Sequence, residues 1–148
     1  MEKEKKKVNI FIQGPVTPAK VAEMIANHEH KTHIGAHDVF MGQVRADEVN
    51  GKKVKAIEYS AYEDMANEVY TQIKEAVFSK YELACMHVVH SVGTVKAGEL
   101  SLVVFVSSAH RKACMDACRE VVERLKKELP VWGKEIFEDE TAQWKKNT

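Results

Sequence analysis

The segment Ser107-Ser108-Ala109-His110-Arg111 is the part of this sequence best suited to hold an anion. It follows an almost continuously apolar run and precedes a helical period, so a buried strand here runs directly into a helix N-terminus. Free backbone N–H groups and the helix dipole favour negative charge at such a place. His110 adds a proton donor and Arg111 a planar, two-pronged clamp for phosphate. The plainer reading is a capped helix with a solvated first turn. A second cationic set, Lys126 and Lys127, stands near the other end of the same helix, followed by Pro130-Val131-Trp132-Gly133-Lys134-Glu135. Paired lysines near a helix C-terminus commonly do no more than meet the dipole. In a pocket they would bind an anionic substrate or lower an amine pKa. Arg45, at a strand end beside a turn, is a third candidate cation.

His110 and Lys126 are sixteen residues apart, which in one straight helix is about 24 Å of rise. They cannot hold one small substrate from within a single chain. If both serve one pocket, they come from different copies, which predicts a homodimer with sites at or near its interface.

Metal chemistry finds less support in the spacing. His110, Cys114 and Cys118 share a helix face, but the outer pair lies about 12 Å apart along the axis, too far for one zinc. Cys114 and Cys118 also fall on the apolar stripe, where buried cysteine is common. His28, His30, His33 and His37 lack a known ligand spacing and read as a solvated loop, and His87 and His90 as sheet residues. The sequence therefore predicts no metal. No nucleophile-elbow pattern supports serine catalysis.

The elements that must position these residues follow from periodicity and turn chemistry. Residues 8–13 read as a strand closed by Gly14-Pro15. Thr17 is a helix N-cap with Pro18 in the first turn, and Val21, Met24 and Ile25 share one face of that helix. Residues 35–45 read as a strand, Asn50-Gly51 as a hairpin turn needing positive φ, and residues 53–62 as the returning strand. Met65, Val69, Ile73, Ala76 and Val77 give a helical period. Residues 83–90 and 100–107 are two further strands, the second buried on both faces. Ser107 and Ser108 cap a helix over residues 110–129, with Cys114, Cys118, Val121, Leu125 and Leu129 as its core stripe, stopping at Pro130. Residues 131–148 hold both tryptophans and end in a polar tail. This order predicts an α+β domain.

Composition bounds the partners. The 148 residues suit one domain, residues 8–148, behind a solvated, disordered Lys/Glu tail over residues 1–7. Lys plus Arg equals Asp plus Glu at 22 each, which argues against nucleic acid as partner. No apolar run approaches a membrane span. Three cysteines without a scaffold pattern suit a reducing compartment, and the expected location is cytoplasmic.

Taken together, the sequence resembles the molybdopterin synthase large-subunit family. The resemblance rests on Phe40-Met41-Gly42-Gln43-Val44-Arg45, Ile57-Glu58-Tyr59, Tyr62-Glu63-Asp64-Met65-Ala66, His90-Ser91-Val92-Gly93 and Gly98-Glu99. It continues through Ser107-Ser108-Ala109-His110-Arg111, Leu125-Lys126 and Pro130-Val131-Trp132-Gly133-Lys134-Glu135, covering residues from about 8 to 144. It implies an α/β-hammerhead fold of the α+β class, with a mixed, largely antiparallel sheet and packed helices, in a dimer. It also implies a small ubiquitin-like sulfur carrier on each copy, so that the assembly is a heterotetramer. The carrier's C-terminal thiocarboxylate would supply two sulfurs, in two deliveries, to cyclic pyranopterin monophosphate and give the molybdopterin dithiolene, with no bound cofactor. Lys126 matches the family's principal active-site lysine. Gln43, Val44, Arg45, His110 and Arg111 match its substrate-binding positions, and Gly133, Lys134 and Glu135 fall in the same site. The family often has a second lysine directly after the tryptophan; this chain has Gly133 there and Lys134 one position along. That departure favours a second reading, a non-catalytic dimeric scaffold for a ubiquitin-like protein or a phosphorylated metabolite.

Overall fold

The computed structural model describes residues 8–146, so the charged N-terminal run lies outside the described residues. The chain order is β1 (Phe11–Gln13), α1 (Pro18–Ala26), β2 (Ala36–Gln43), β3 (Glu48–Val49), β4 (Lys52–Ala61), α2 (Glu63–Lys80) and β5 (Cys85–Lys96). It continues with β6 (Leu100–Ser108), α3 (Arg111–Glu128), β7 (Val131–Phe137) and β8 (Ala142–Trp144). The strands join in the order β2-β6-β5-β4-β7-β8, with β1 parallel to β5 and β3 paired with β4. All other pairings are antiparallel, so the sheet is mixed and the class is α+β, as expected.

β6 is the spine. Its even positions Leu102, Val104 and Val106 pack in a core with α2 and α3, while Val103 and Phe105 pack on the opposite face with Met24 of α1. A strand covered on both faces needs apolar residues at every position, which is why its pattern does not alternate. α1 begins as its sequence requires, with the Thr17 hydroxyl accepting from the Lys20 amide at 3.1 Å. A third core cluster, with Val44, Val54, Ile57, Val95 and Phe137, sits under the β4–β7 half of the sheet.

β5 serves both halves. Residues 85–90 pair with β6, residues 90–92 with β1, and residues 93–96 with β4. The changeover is at Gly93, whose φ of 84° is a conformation that side-chain-bearing residues rarely adopt.

Several elements depart from the sequence reading. Asn50 and Gly51, at φ 51° and 77°, do form the hairpin turn, but its short arm is β3. β2 turns away to pair with β6 instead of β4. β5 runs on past Gly93 to Lys96, and β7 and β8 occupy the C-terminal segment left without strands. The buried face of α2 is Ala66, Tyr70, Ile73 and Val77. Met65 is exposed, so the true stripe lies about 100° around the helix from where Met65 placed its start. Ile25 is likewise exposed on α1. His28 is not solvated: it is buried, 6% exposed.

Candidate active site

Where β2 ends, β4 crosses and α3 finishes, the surface opens into a groove of about 700 Å³. Its floor includes Ile57, Tyr59, His90 and Leu102; its rim carries Arg45, Lys126, Lys127, Trp132 and Lys145. Sequence-distant cations thus converge on one concave, partly apolar surface. A bulge shapes the β2 side: Gly42 pairs with Leu102 but Gln43 with Leu100, leaving Ser101 between them. Such bulges re-aim side chains, and here Ser101 accepts from the Tyr59 hydroxyl at 3.2 Å.

Beyond the bulge the chain is pinned by backbone bonds from Val44 to Glu99 and from Gly98 to Val44. Val44 lines the groove, but its side chain is 2% exposed and belongs to the core beneath. Its part is to anchor its neighbours. Gln43 and Arg45, on either side, are exposed. In the lone chain Arg45 grips Asp47 at two points, Nη2 to Oδ2 and Nε to Oδ1, each 3.2 Å.

Lys126 is exposed on the last turn of α3, one residue after the buried Leu125. His90 lies close enough for the Lys126 charge to act on it. Its Nδ1 faces the Ser91 carbonyl at 2.8 Å and must donate there, which leaves Nε2 as an acceptor. Burial, and more weakly the Lys126 charge, lowers its pKa, so the ring is neutral near pH 7. Its ring meets Tyr59 edge-on at 5.6 Å, and burial raises the Tyr59 phenol pKa. Sequence reading placed His90 in a strand and saw no chemistry in it, because nothing local marks which strand face becomes a groove.

The expected residues of β7 separate by side. Gly133 pairs with Tyr59 and lines the groove. A β-carbon there would meet Ile57 Cγ2 at 3.0 Å and Tyr59 Cε1 at 3.4 Å, so the position is tight as well as empty. Lys134, the next residue, does not line the groove; its ammonium stands over the Trp144 ring at 5.7 Å. Glu135 is buried, 6% exposed, and accepts from Gln143. The lysine that lines the groove from the C-terminal segment is instead Lys145, whose amide donates to the Gly133 carbonyl at 2.8 Å. The sequence reading had left it in the polar tail.

His110 and Arg111 are exposed and lie outside the groove, at the opposite end of α3. The helix between is continuous from Arg111 to Glu128, so one chain does not bring these two to Lys126. Ser108 caps this helix from inside: it is fully buried, accepts from the Cys114 amide at 3.0 Å and donates to the His110 carbonyl at 2.5 Å. Cys114 and Cys118 are buried core residues, as expected, and burial pushes the Cys118 thiol up to about 12.

Solved structures share this fold. The molybdopterin synthase of Staphylococcus aureus superposes with a TM-score of 0.79 at 30% identity, over 93% of this chain and 96% of that one. A complex of subunits 1 and 2 of molybdopterin-converting factor from Helicobacter pylori matches in fold, with a TM-score of 0.78 at 18% identity over 92% and 88%. In sequence, the chain is 40% identical over 128 residues to the molybdopterin synthase catalytic subunit of Bacillus subtilis, covering 86% of this chain and 80% of that protein. It is 39% identical to the catalytic subunit of Rattus norvegicus over 76% of this chain, which spans 56% of the rat protein's length. The family model described as MoaE protein matches residues 13–128. The chain belongs to the MoaE family.

Proposed function

We propose that this protein is the catalytic subunit of a molybdopterin synthase, moving sulfur from the thiocarboxylate of a small ubiquitin-like carrier onto cyclic pyranopterin monophosphate. The observation that carries this reading is the groove itself. In a chain of this family, Arg45, Lys126, Lys127 and Lys145 meet over a floor of Ile57, Tyr59 and Leu102. An anionic tail and an anionic substrate both need such a place, and the cations offset charge that would otherwise repel.

In each delivery the carrier's sulfur bonds to a pterin side-chain carbon as a C–O bond of that carbon breaks, the oxygen leaving as water or with the opened phosphate. Water then cleaves the acyl–sulfur bond, leaving a carboxylate on the carrier and the sulfur on the pterin. Two deliveries give the dithiolene. The protein supplies orientation and electrostatic stabilisation. Lys126 neutralises the thiocarboxylate and the charge that develops as the acyl–sulfur bond opens. His90, neutral with Nε2 as acceptor, takes a proton on the groove floor. Arg45 exchanges Asp47 for the substrate phosphate. The exposed Tyr62–Trp132 edge-on pair, with ring centroids 5.1 Å apart, gives the extended tail an apolar shoulder. No resident metal or cofactor is invoked in these steps.

His110 and Arg111 join this site across a homodimer, each copy giving its α3 N-terminus to the groove of the other, with one carrier per groove in a heterotetramer. Among the described residues no helix is long and apolar enough to cross a membrane, and Cys85, Cys114 and Cys118 are unbridged. Unbridged thiols suit the cytoplasm.

Lys126→Ala tests the assignment. In a reconstituted assay it loses most turnover while still binding the carrier; near-normal turnover would reject the role of Lys126.

A further inference from the structure

On the face of the sheet opposite the groove, the described residues bring together one group of three metal-ligand side chains, His28, Cys85 and His87. His28 follows α1, while Cys85 and His87 are two apart on β5 and so share a face. His90, an odd number of positions further along, belongs to the groove side. The two sites use the same strand and share no residue.

The geometry is close to that of a bound ion. The Nε2 atoms of His28 and His87 are 3.1 Å apart, and all three ligand atoms lie within 4.8 Å of one another. Two imidazoles on one tetrahedral zinc, with bonds of about 2.0–2.1 Å, hold their nitrogens roughly 3.3 Å apart. The two nitrogens stand close to the separation a shared zinc requires, and the Cys85 sulfur lies within 4.8 Å of both. Nδ1 of His28 donates to the Met24 carbonyl at 2.6 Å. That bond fixes the tautomer and leaves Nε2 with its lone pair towards His87, the outer contact that metal-bound histidines characteristically make. The His28 ring is held by Phe105 at 4.9 Å and is 6% exposed. Lys31 donates to the Cys85 sulfur at 3.1 Å.

We propose that His28, His87 and Cys85 form a binding site for a zinc-type divalent cation, with two nitrogens, one thiolate and a fourth position open to water. On binding, the thiol proton leaves to solvent, and His87 gives up the proton between the rings by carrying it on Nδ1 instead. Partial desolvation, with the charges of His28, Lys74 and Lys31, brings the His87 pKa down to about 4, so its imidazole is neutral and ready to ligate at pH 7. The site opens onto a surface cavity of about 550 Å³, which gives an ion a path in. The sequence reading weighed His28 only with His30, His33 and His37 and set His87 among sheet residues, since positions 28, 85 and 87 fit no spacing motif. A bound ion would tie the end of α1 to β5, so its effect falls on stability and not on the groove.

The test uses the full chain, stripped with chelator and titrated with zinc against a chromophoric competitor, then separately with cobalt(II). The site predicts one zinc per chain. His87→Ala and Cys85→Ser should each weaken binding at least about tenfold, while His30→Ala, exposed on the same loop, should leave it unchanged. Wild type should show thiolate-to-cobalt charge-transfer absorption, lost in Cys85→Ser, and zinc should raise its Tm. No stoichiometric zinc, wild-type affinity in either ligand variant, or a cobalt spectrum without the thiolate band would overturn the proposal. If a variant fails to fold by circular dichroism, the wild-type cobalt spectrum decides.

Discussion

Arg45 and Asp47 show how a single side chain can be held ready without being buried. Their two-point pair is exposed, and pairs of that kind are worth about 0.2–1 kcal/mol. Under the proposed function a substrate phosphate displaces Asp47 at little cost. Asp47→Asn should therefore lower the KM for the phosphorylated pterin by up to about fivefold, with kcat nearly unchanged, as steady-state kinetics would read. Ser108 works the other way: it is fully buried and serves two backbone groups at once. Ser108→Ala should destabilise the chain by about 1–2 kcal/mol, measured as a lower urea midpoint, and should loosen the His110 turn. At this scale the sequence was informative about residue type. Arg45, Lys126 and the Ser107–Arg111 turn were visible as cations and caps. His90 and Lys145 were not, because their role comes only from which face of a distant strand becomes concave. Lys134 shows the same limit in reverse, for one step along β7 moved it to the other face.

Among the elements, those whose signal is local were legible: α1 with its Thr17 cap, α3 up to Pro130, and β6 with its unbroken apolar run. Errors collected where pairing is non-local. The Asn50-Gly51 turn was read correctly, yet its partner strands were not, since turn chemistry fixes the two residues of a turn and says nothing about how long each arm runs. β7 was missed because its residues make sense only against β4. β5 carries a pH signature. His87 titrates at about 4 in the folded chain against 6.5 unfolded, and His37 and His90 are lowered too. A depressed histidine pKa means that the unfolded chain binds more protons as the medium acidifies. The associated stability is complete above pH 6.5 and is lost as pH falls towards 4. Urea midpoints of the metal-free chain should fall over that window, and the fall should be shallower in His87→Gln.

For the whole molecule, the continuous α3 has the largest consequence, because it holds His110 and Arg111 a full helix away from Lys126. That distance was legible in the sequence from spacing alone, and under the proposed function it requires a site shared between copies. Mixing two inactive variants, Arg111→Ala and Lys126→Ala, should restore activity in mixed dimers, where one groove draws both intact residues. Failure to complement, with mixed dimers demonstrated by native mass spectrometry, would return each site to a single chain. Sulfur transfer is read most directly from the mass of the pterin product formed with a carrier whose thiocarboxylate bears heavy sulfur. Wild type should give a dithiolene carrying two heavy sulfurs, and Lys126→Ala almost none. Unchanged pterin in the presence of bound, charged carrier would contradict it.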